Sequence, residues 1–259
     1  MSYPVFPQGI PEPIRDRGKY ELRFASSPAE LEAVQRLRFE IFNLELGEGL
    51  EESYETGLDR DRFDPVCHHL MVMDTETDTL VGTYRIQTFE MAEAYGGFYS
   101  SDEFALDGLP EEVRRQSVEV GRASVALEYR NQKVLFLLWR GLAAYMTKNE
   151  KRYLFGCCSL TSQDPREGKW VMDYLRRKGH CHPEHTVLPQ PDWRCYDDDY
   201  TVEPPEQEIK LPNLFRTYMR YGAKVCGPPA IDRQFKTIDY LVLLDTSQFD
   251  RVTRALFFR

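Results

Sequence analysis

The sequence predicts an α/β fold with a mixed central sheet flanked by helices. Strand-like and helix-like stretches follow one another as strand, helix, two strands, strand, helix, strand, helix, then a helix and closing strands. Two of the helical stretches open on the same cap, proline and glutamate signal, and adjacent strands joined by a short turn make the sheet mixed rather than purely parallel.

Residues 1–19 are rich in proline and glycine without a period, so an arm that wraps the domain or stays loose is expected there, ahead of a single domain over 20–259. Residues 20–25 read as the first strand. Ser27-Pro28-Ala29-Glu30 then supplies an N-cap, a proline at the first helical position and a capping-box glutamate, which starts a helix running to about Leu44. Its apolar stripe of Leu31, Val34, Ile41 and Phe42 contains Arg38, so that guanidinium points inward unless it snorkels to the surface. Residues 45–66 are acidic, turn-rich and aperiodic, a loop long enough for a lid or wall, and Asp59, Asp61 and Asp64 close it. Residues 69–73 and 80–89 form a hairpin across Asp74-Thr75-Glu76-Thr77-Asp78, with Arg85 on the face of Val81, Thr83 and Gln87.

Residues 90–110 are an irregular connection. The next strand, Ser117-Val118-Glu119-Val120-Gly121-Arg122-Ala123-Ser124-Val125, carries a carboxylate and a guanidinium that strict alternation would send to opposite faces. An extra residue at Gly121 would bring Glu119 and Arg122 to one cleft, whereas the plainer alternative is an edge strand with a structural ion pair. Residues 133–149 are helical, with Val134, Leu137, Leu138, Gly141, Leu142 and Tyr145 as their core stripe. Residues 153–160 are a buried strand, and Asp164-Pro165-Arg166-Glu167 opens a helix that closes at Gly179. A loop to about Lys210 follows, then a last helix from Pro212 to Gly222 and a late strand at 240–244.

At 259 residues and 42% hydrophobic the chain can bury a sizeable core. No apolar run is long enough to span a bilayer and the first residues lack a signal-peptide pattern, so a cytoplasmic protein is expected. Six irregularly spaced cysteines read as free thiols, and a net charge of −9 argues against nucleic acid as a partner. His180-Cys181-His182, His185 and Cys195 match no common zinc spacing, so no metal is expected. Cys157 and Cys158 sit in an apolar strand, where thiols usually pack rather than react. Arg176-Arg177-Lys178 suits a helix C-terminus and is also a candidate docking patch for an acidic carrier.

Arg38-Phe39-Glu40-Ile41-Phe42, Asp61-Arg62-Phe63-Asp64, Gly82-Thr83-Tyr84-Arg85 and Glu119-Val120-Gly121-Arg122 together resemble the GNAT-fold acyltransferases that take long acyl chains from acyl carrier protein. Two branches share these features: the acyl-homoserine-lactone synthases, and the N-acyl amino acid synthases that include the enzyme 3-hydroxyacylating ornithine to lyso-ornithine lipid. Phe155-Gly156-Cys157-Cys158-Ser159-Leu160, Tyr218-Met219-Arg220-Tyr221-Gly222-Ala223 and Ala230-Ile231-Asp232-Arg233-Gln234-Phe235 with Asp239 are similar to the second branch. The tryptophan of the lactone synthases after the first helix is replaced by Leu44-Glu45-Leu46.

The resemblance implies an N-acyltransferase moving a long acyl chain, 3-hydroxylated or not, from acyl carrier protein to an amino acid such as ornithine. It implies no cofactor beyond the carrier's phosphopantetheine thioester. A lactone-type signal synthase and a non-catalytic module binding acyl carrier protein or lipid are the alternatives. Ordinary acetyl-CoA enzymes of this fold carry a glycine-rich pyrophosphate turn, but Arg130-Asn131-Gln132-Lys133 has no glycine. A helix N-terminus with Arg130 and Lys133 still suits one phosphate, which favours the carrier over coenzyme A, and the resemblance adds Ser159 to that side.

Amide formation needs an unprotonated amine, so Glu119 is the expected base, directly or through water, with Arg122 orienting it or binding carboxylate. Backbone N–H groups freed by the bulge are candidates for the oxyanion. Arg38 and Arg85 have forks suited to an acceptor carboxylate, Asp61 and Asp64 suit its ammonium or lock those arginines, and Phe42 joins the acceptor-binding set. An amphipathic product is compatible with transient contact at the inner membrane surface.

Overall fold

The computed structural model describes residues 3–16, 18–205 and 208–258. Strands β1 (Ile14–Arg15), β2 (Tyr20–Phe24), β3 (His68–Asp74), β4 (Thr79–Thr88), β5 (Ser117–Val125), β6 (Tyr153–Leu160), β7 (Lys224–Val225), β8 (Ala230–Asp232) and β9 (Thr237–Asp245) make one sheet. Its order is β1-β2-β3-β4-β5-β6-β9-β7, with β8 also on β9. Every neighbouring pair is antiparallel except β5 and β6, which run parallel. The helices are α1 (Pro28–Phe39), α2 (Ser53–Thr56), α3 (Phe89–Ala94), α4 (Glu111–Arg115), α5 (Gln132–Lys148), α6 (Pro165–Arg177), α7 (Asn213–Arg220) and α8 (Arg251–Phe257).

Alternation along the central strands buries both faces. In β9, Ile238, Tyr240, Val242 and Leu244 enter the larger core with Val134, Leu138 and Leu142 of α5, while Leu241 and Leu243 join a second core with Phe98, Phe104 and Phe155. The Ser27 hydroxyl caps α1 by accepting from the Glu30 amide at 3.3 Å, and the Glu30 carboxylate accepts from the Ser26 amide at 2.7 Å, one residue earlier than an ordinary capping box. The end of α1 widens into π-helical bonding over Glu40–Glu45, which still carries the helix to the expected boundary. The N-terminal arm packs on the domain: Asn149 donates to the Gly9 carbonyl at 2.8 Å, His68 to that of Phe6 at 2.6 Å, and β1 pairs with β2.

Three expectations are corrected. The helix after Pro212 is not the last, because Asp250 accepts from the Val252 and Thr253 amides and starts α8, a helix too short to show a period. The two-residue β7 and three-residue β8 escape any pattern reading for the same reason. The stretch 90–110 contains all but the first residue of α3, whose start is capped by the Thr88 hydroxyl accepting from the Met91 amide at 3.4 Å.

Two local irregularities position the site. Thr83 faces Ser124 while Arg85 faces Gly121, so Arg122 and Ala123 together oppose Tyr84 alone, a bulge one residue later than expected. Arg122 itself takes the left-handed conformation, φ 51°, which costs a non-glycine residue about 1 kcal/mol. The second irregularity is the end of the β5–β6 pairing at Glu119 and Phe155. At the next residue, Gly156, an added Cβ would collide with the Val120 carbonyl oxygen, so only glycine fits beside β5 where the pairing ends. Beyond it β6 stays with β9 and β5 stays with β4, leaving a gap between them.

Candidate active site

The gap between β5 and β6 holds a cavity of about 310 Å³. Phe42, Leu154, Phe215, Tyr218 and Val242 give it apolar walls, and Glu48, Ser100, Glu103, Glu119, Arg122, Ser159 and Asp239 supply the polar part. A Cβ on Gly121 would meet nothing within 4 Å, so bare backbone faces this space. The bulge does what the sequence reading asks of it: Glu119 and Arg122 both line one cavity.

Behind Arg122 lies a buried ionic network. Arg38 is 0% exposed; its Nε donates to Asp59 Oδ2 at 2.7 Å, Nη1 to Asp64 Oδ1 at 2.8 Å, and Nη2 to the Asp59 carbonyl at 2.9 Å. The fork expected to grip an acceptor is therefore filled by the protein's own carboxylates, and Arg38 lines neither cavity of the site. Asp64 is equally enclosed, accepting also from Arg85 Nη1 at 3.1 Å and Gln35 Nε2 at 3.0 Å. It locks the arginines and has no surface left for a substrate ammonium. Asp61 joins Arg85 at 2.5 Å and Arg122 Nη2 at 3.2 Å and reaches the outer cavity described below. Burial pushes both aspartates up, but Arg38 and Arg85 for Asp64, and Arg85 and Arg122 for Asp61, overcome it and hold them below the ordinary carboxylate range. Burial pulls the proton off His69, down to about 4, so it is a neutral donor to the Asp64 carbonyl at 3.1 Å.

Glu119 is 5% exposed, and its carboxylate accepts from the Tyr99 amide at 2.8 Å, the Ser100 amide at 2.8 Å and the Ser100 hydroxyl. It thus anchors the Tyr99–Ser101 turn as well as facing the cavity. Burial raises its proton affinity and these hydrogen bonds only partly offset that, which moves it toward basicity. Tyr99, absent from the sequence reading, stacks under Arg122 with the guanidinium 4.9 Å from its ring, while Phe235 covers the other side at 4.2 Å. These two rings hold the left-handed Arg122 in place.

A second cavity of about 670 Å³ shares Tyr99, Glu103 and Arg122 with the first and reaches Asp61, Arg62, Trp193, Asp232, Arg233 and Lys236. Arg62 pairs with Asp102 and Lys236 with Glu51, while Arg233 donates to the Asp192 carbonyl at 3.2 Å and makes no ion pair with a carboxylate among the described residues. Glu103 and Asp239 lie at the junction; burial, reinforced by their mutual repulsion and by Asp232, raises Glu103 far above the ordinary range, and burial takes Asp239 to about 6. Glu103 and Asp232 come from loop and strand-end positions with no periodic signal; only the resemblance marks the Asp232 to Asp239 run.

Arg130 and Lys133 stand at the start of α5 as expected, but outside both cavities. Arg130 makes a bidentate pair with Glu45 at 2.5 and 2.6 Å, and Lys133 pairs with Asp16 at 2.7 Å. Asn131 Oδ1 takes the Lys133 and Val134 amides at 3.0 and 3.1 Å, occupying part of that helix terminus. Ser159 lines the first cavity with its hydroxyl on Asp239. Cys157 lines it too, yet burial and Glu103 push its thiol well above the ordinary range, so it is no thiolate nucleophile. Tyr145 of the α5 core stripe is buried, with its hydroxyl 2.8 Å from His68, and lines neither cavity. Among the described residues the only grouping of side chains close enough to hold a metal ion is Glu103, Asp232 and Asp239.

The acetyltransferase (GNAT) domain family matches residues 37–140. An L-ornithine N(alpha)-acyltransferase of Rhizobium meliloti is 34% identical over 234 residues, 86% of this chain and 79% of that protein. Another of the same name, from Rhodobacter capsulatus, is 32% identical and covers 93% of this chain and 95% of its own. The chain belongs to the family of these N(alpha)-acyltransferases. It is an acyltransferase of GNAT fold that moves an acyl group onto an amino group. An N-acyl amino acid synthase from uncultured soil microbes aligns over 92% of this chain and 93% of its own, at 14% identity and a TM-score of 0.46. No helix among the described residues is long and apolar enough to cross a membrane.

Proposed function

We propose that the chain transfers a long fatty acyl group, 3-hydroxylated or plain, from the phosphopantetheine thioester of acyl carrier protein to the α-amine of ornithine. The observation that carries this reading is the meeting of an apolar cavity with an acidic one at a wall made of Tyr99, Glu103 and Arg122. The acyl chain occupies the β5–β6 gap with its thioester beside Gly121, and the amino acid arrives through the second cavity with its carboxylate on Arg233. The acceptor's name comes from the relatives, and the many buried carboxylates around the junction favour a doubly cationic amino acid.

In the reaction the amine lone pair attacks the thioester carbon, and Glu119 takes the ammonium proton directly or through one water. Donors around the bulge hold the oxyanion, the C–S bond breaks, and the thiolate leaves with a proton as carrier thiol. The raised proton affinity of Glu119 suits a base that must accept from an ammonium. The donor assignment is supported by the glycine-free turn Arg130-Asn131-Gln132-Lys133, which disfavours the close backbone approach that a pyrophosphate needs. Val252 and Leu256, exposed on one face of α8, fit brief contact with the cytoplasmic membrane surface into which the product passes.

Acyl carrier protein loaded with a long 3-hydroxyacyl chain should release free thiol only when ornithine is added, and mass spectrometry should find the N-acyl amide. No thiol release would make the protein a binding module for acyl carrier protein, and a lactone product would make it a signal synthase.

A further inference from the structure

Glu103, Asp232 and Asp239 each bring a carboxylate oxygen within 4.8 Å of the other two, and all three side chains are almost fully buried. They come from separate places, since Glu103 follows the Tyr99–Ser101 turn, Asp232 ends β8 and Asp239 lies on β9. Two are partly satisfied by neighbours. Asp232 Oδ1 accepts from the Gln234 and Phe235 amides at 2.8 Å each, and Asp239 accepts from the Ser159 and Thr237 hydroxyls. Glu103 differs: Oε2 takes the Cys157 thiol at 3.8 Å, the Tyr99 side chain also reaches its carboxyl, and Oε1 is buried without a hydrogen-bond partner among the described residues. A carboxylate oxygen so enclosed is costly unless a donor reaches it.

None of the three carboxylates forms an ion pair with a cation among the described residues. Glu48, Tyr99 and Cys157 beside them are acidic or neutral, Arg122 is committed to Asp59 and Asp61 at 3.4 and 3.2 Å, and Arg233 on the outer cavity's wall donates to the Asp192 carbonyl. Asp232 opens to the outer cavity, Asp239 to the inner one and Glu103 to both, so the cluster sits on the acceptor's path. Short contacts connect it to the proposed base, because Cys157 lies 3.7 Å from the Ser100 hydroxyl that donates to Glu119.

We propose that Glu103, Asp232 and Asp239 form a cage for the second, side-chain ammonium of the acceptor and thereby select a diamino acid with a short apolar arm. This rests on the acyl-transfer reading above. An ammonium carries three N–H donors for three carboxylates, whereas a hard divalent cation demands six or more oxygens. Burial raises the proton affinity of Glu103 far above the ordinary range, so it holds a proton when the cage is empty, and the ammonium displaces it, so acceptor binding releases a proton. A monoamino acid with the same arm leaves the cage uncompensated and is rejected.

The test compares ornithine with norvaline, which lacks only the side-chain amine, in wild type, Glu103→Gln and Asp232→Asn, with thermal unfolding to confirm that each variant is folded. Wild type should favour ornithine by roughly 100-fold or more in kcat/KM, as a site with buried polar groups discriminates against a ligand lacking the matching one. The preference should shrink by at least about 10-fold in folded Glu103→Gln, mostly through ornithine's KM. Calorimetry of ornithine binding in buffers of different ionisation heat should show proton release that the variant reduces. An undiminished ornithine-to-norvaline ratio in either folded variant overturns the cage. So does saturable binding of Mg²⁺ or Ca²⁺ that depends on Glu103 while the ratio stays fixed, which would make the cluster a metal site. If neither acceptor yields an amide, the acyl-transfer reading fails by itself, and the cage then stands or falls on Glu103-dependent ornithine binding in the calorimeter.

Discussion

Arg38 holds Asp64 with both terminal nitrogens, Nη1 to Oδ1 at 2.8 Å and Nη2 to Oδ2 at 3.2 Å, and neither side chain reaches solvent. Arg85 and Arg122 are fixed to this pair through Asp61 and Asp59, so the cavity wall inherits its geometry from charges the substrate does not touch. Asp64→Ala would leave Arg38 and Arg85 without their shared counter-charge. Denaturant unfolding should register a loss of about 3–5 kcal/mol, as breaking one side of a buried pair does. A loss under about 1 kcal/mol would mean that the network is dispensable.

Two glycines should behave oppositely. Gly121→Val adds atoms where a Cβ meets nothing, so folding should change little while the donor KM rises roughly 10-fold or more as the cavity fills. Gly156→Ala places a Cβ against the Val120 carbonyl and should destabilise the protein by about 3 kcal/mol or prevent folding. Equal thermal shifts in the two variants would contradict the account of the separated strands.

Stability should depend on pH with two opposing signs. Asp61 and Asp64 titrate below the ordinary 3.8, so their contribution is complete above that value and disappears as pH falls through the depressed range. Asp239 is raised to about 6, so the folded state binds its proton more tightly than the unfolded chain does, and stability falls as pH climbs from 3.8 to 6. At about 1.4 kcal/mol for each pH unit between those values, Asp239→Asn should add at most about 3 kcal/mol at roughly pH 8 and almost nothing near about pH 4. Unfolding curves at the two pH values decide it; an equal effect at both would remove Asp239 as the titrating group.

Periodicity makes most of the frame legible. The inward Arg38, the hairpin with Arg85 and the helix over Gln132–Lys148 all follow from spacing, and the bulge near Gly121 follows from two charges three residues apart. Its exact place does not, because glycine marks where a left-handed residue is easy, and here the stacking of Tyr99 and Phe235 lets Arg122 adopt that conformation instead. Arg38 reads as a substrate contact, and Asp64 as either an ammonium contact or a lock on the arginines, because a sequence shows which charges point inward but not how they pair; the structure makes Asp64 the lock. Tyr99, Ser100 and Glu103 lie in an aperiodic connection, and only the tertiary path that lays it over β5 gives them a role. Arg130 and Lys133 stand where the sequence puts them, but Glu45 lies 85 positions from its partner and Asp16 is still more distant from Lys133, beyond any local pattern.

The claim on which the account turns is that Glu119 takes the amine's proton beside the separated strands. Acceptor-dependent thiol release should be compared between wild type and Glu119→Gln at saturating donor and neutral pH, with thermal unfolding run in parallel. The account predicts a fall in kcat of roughly 100-fold or more, the usual contribution of a general base, in a variant that still folds. An unchanged kcat in the folded variant would contradict it.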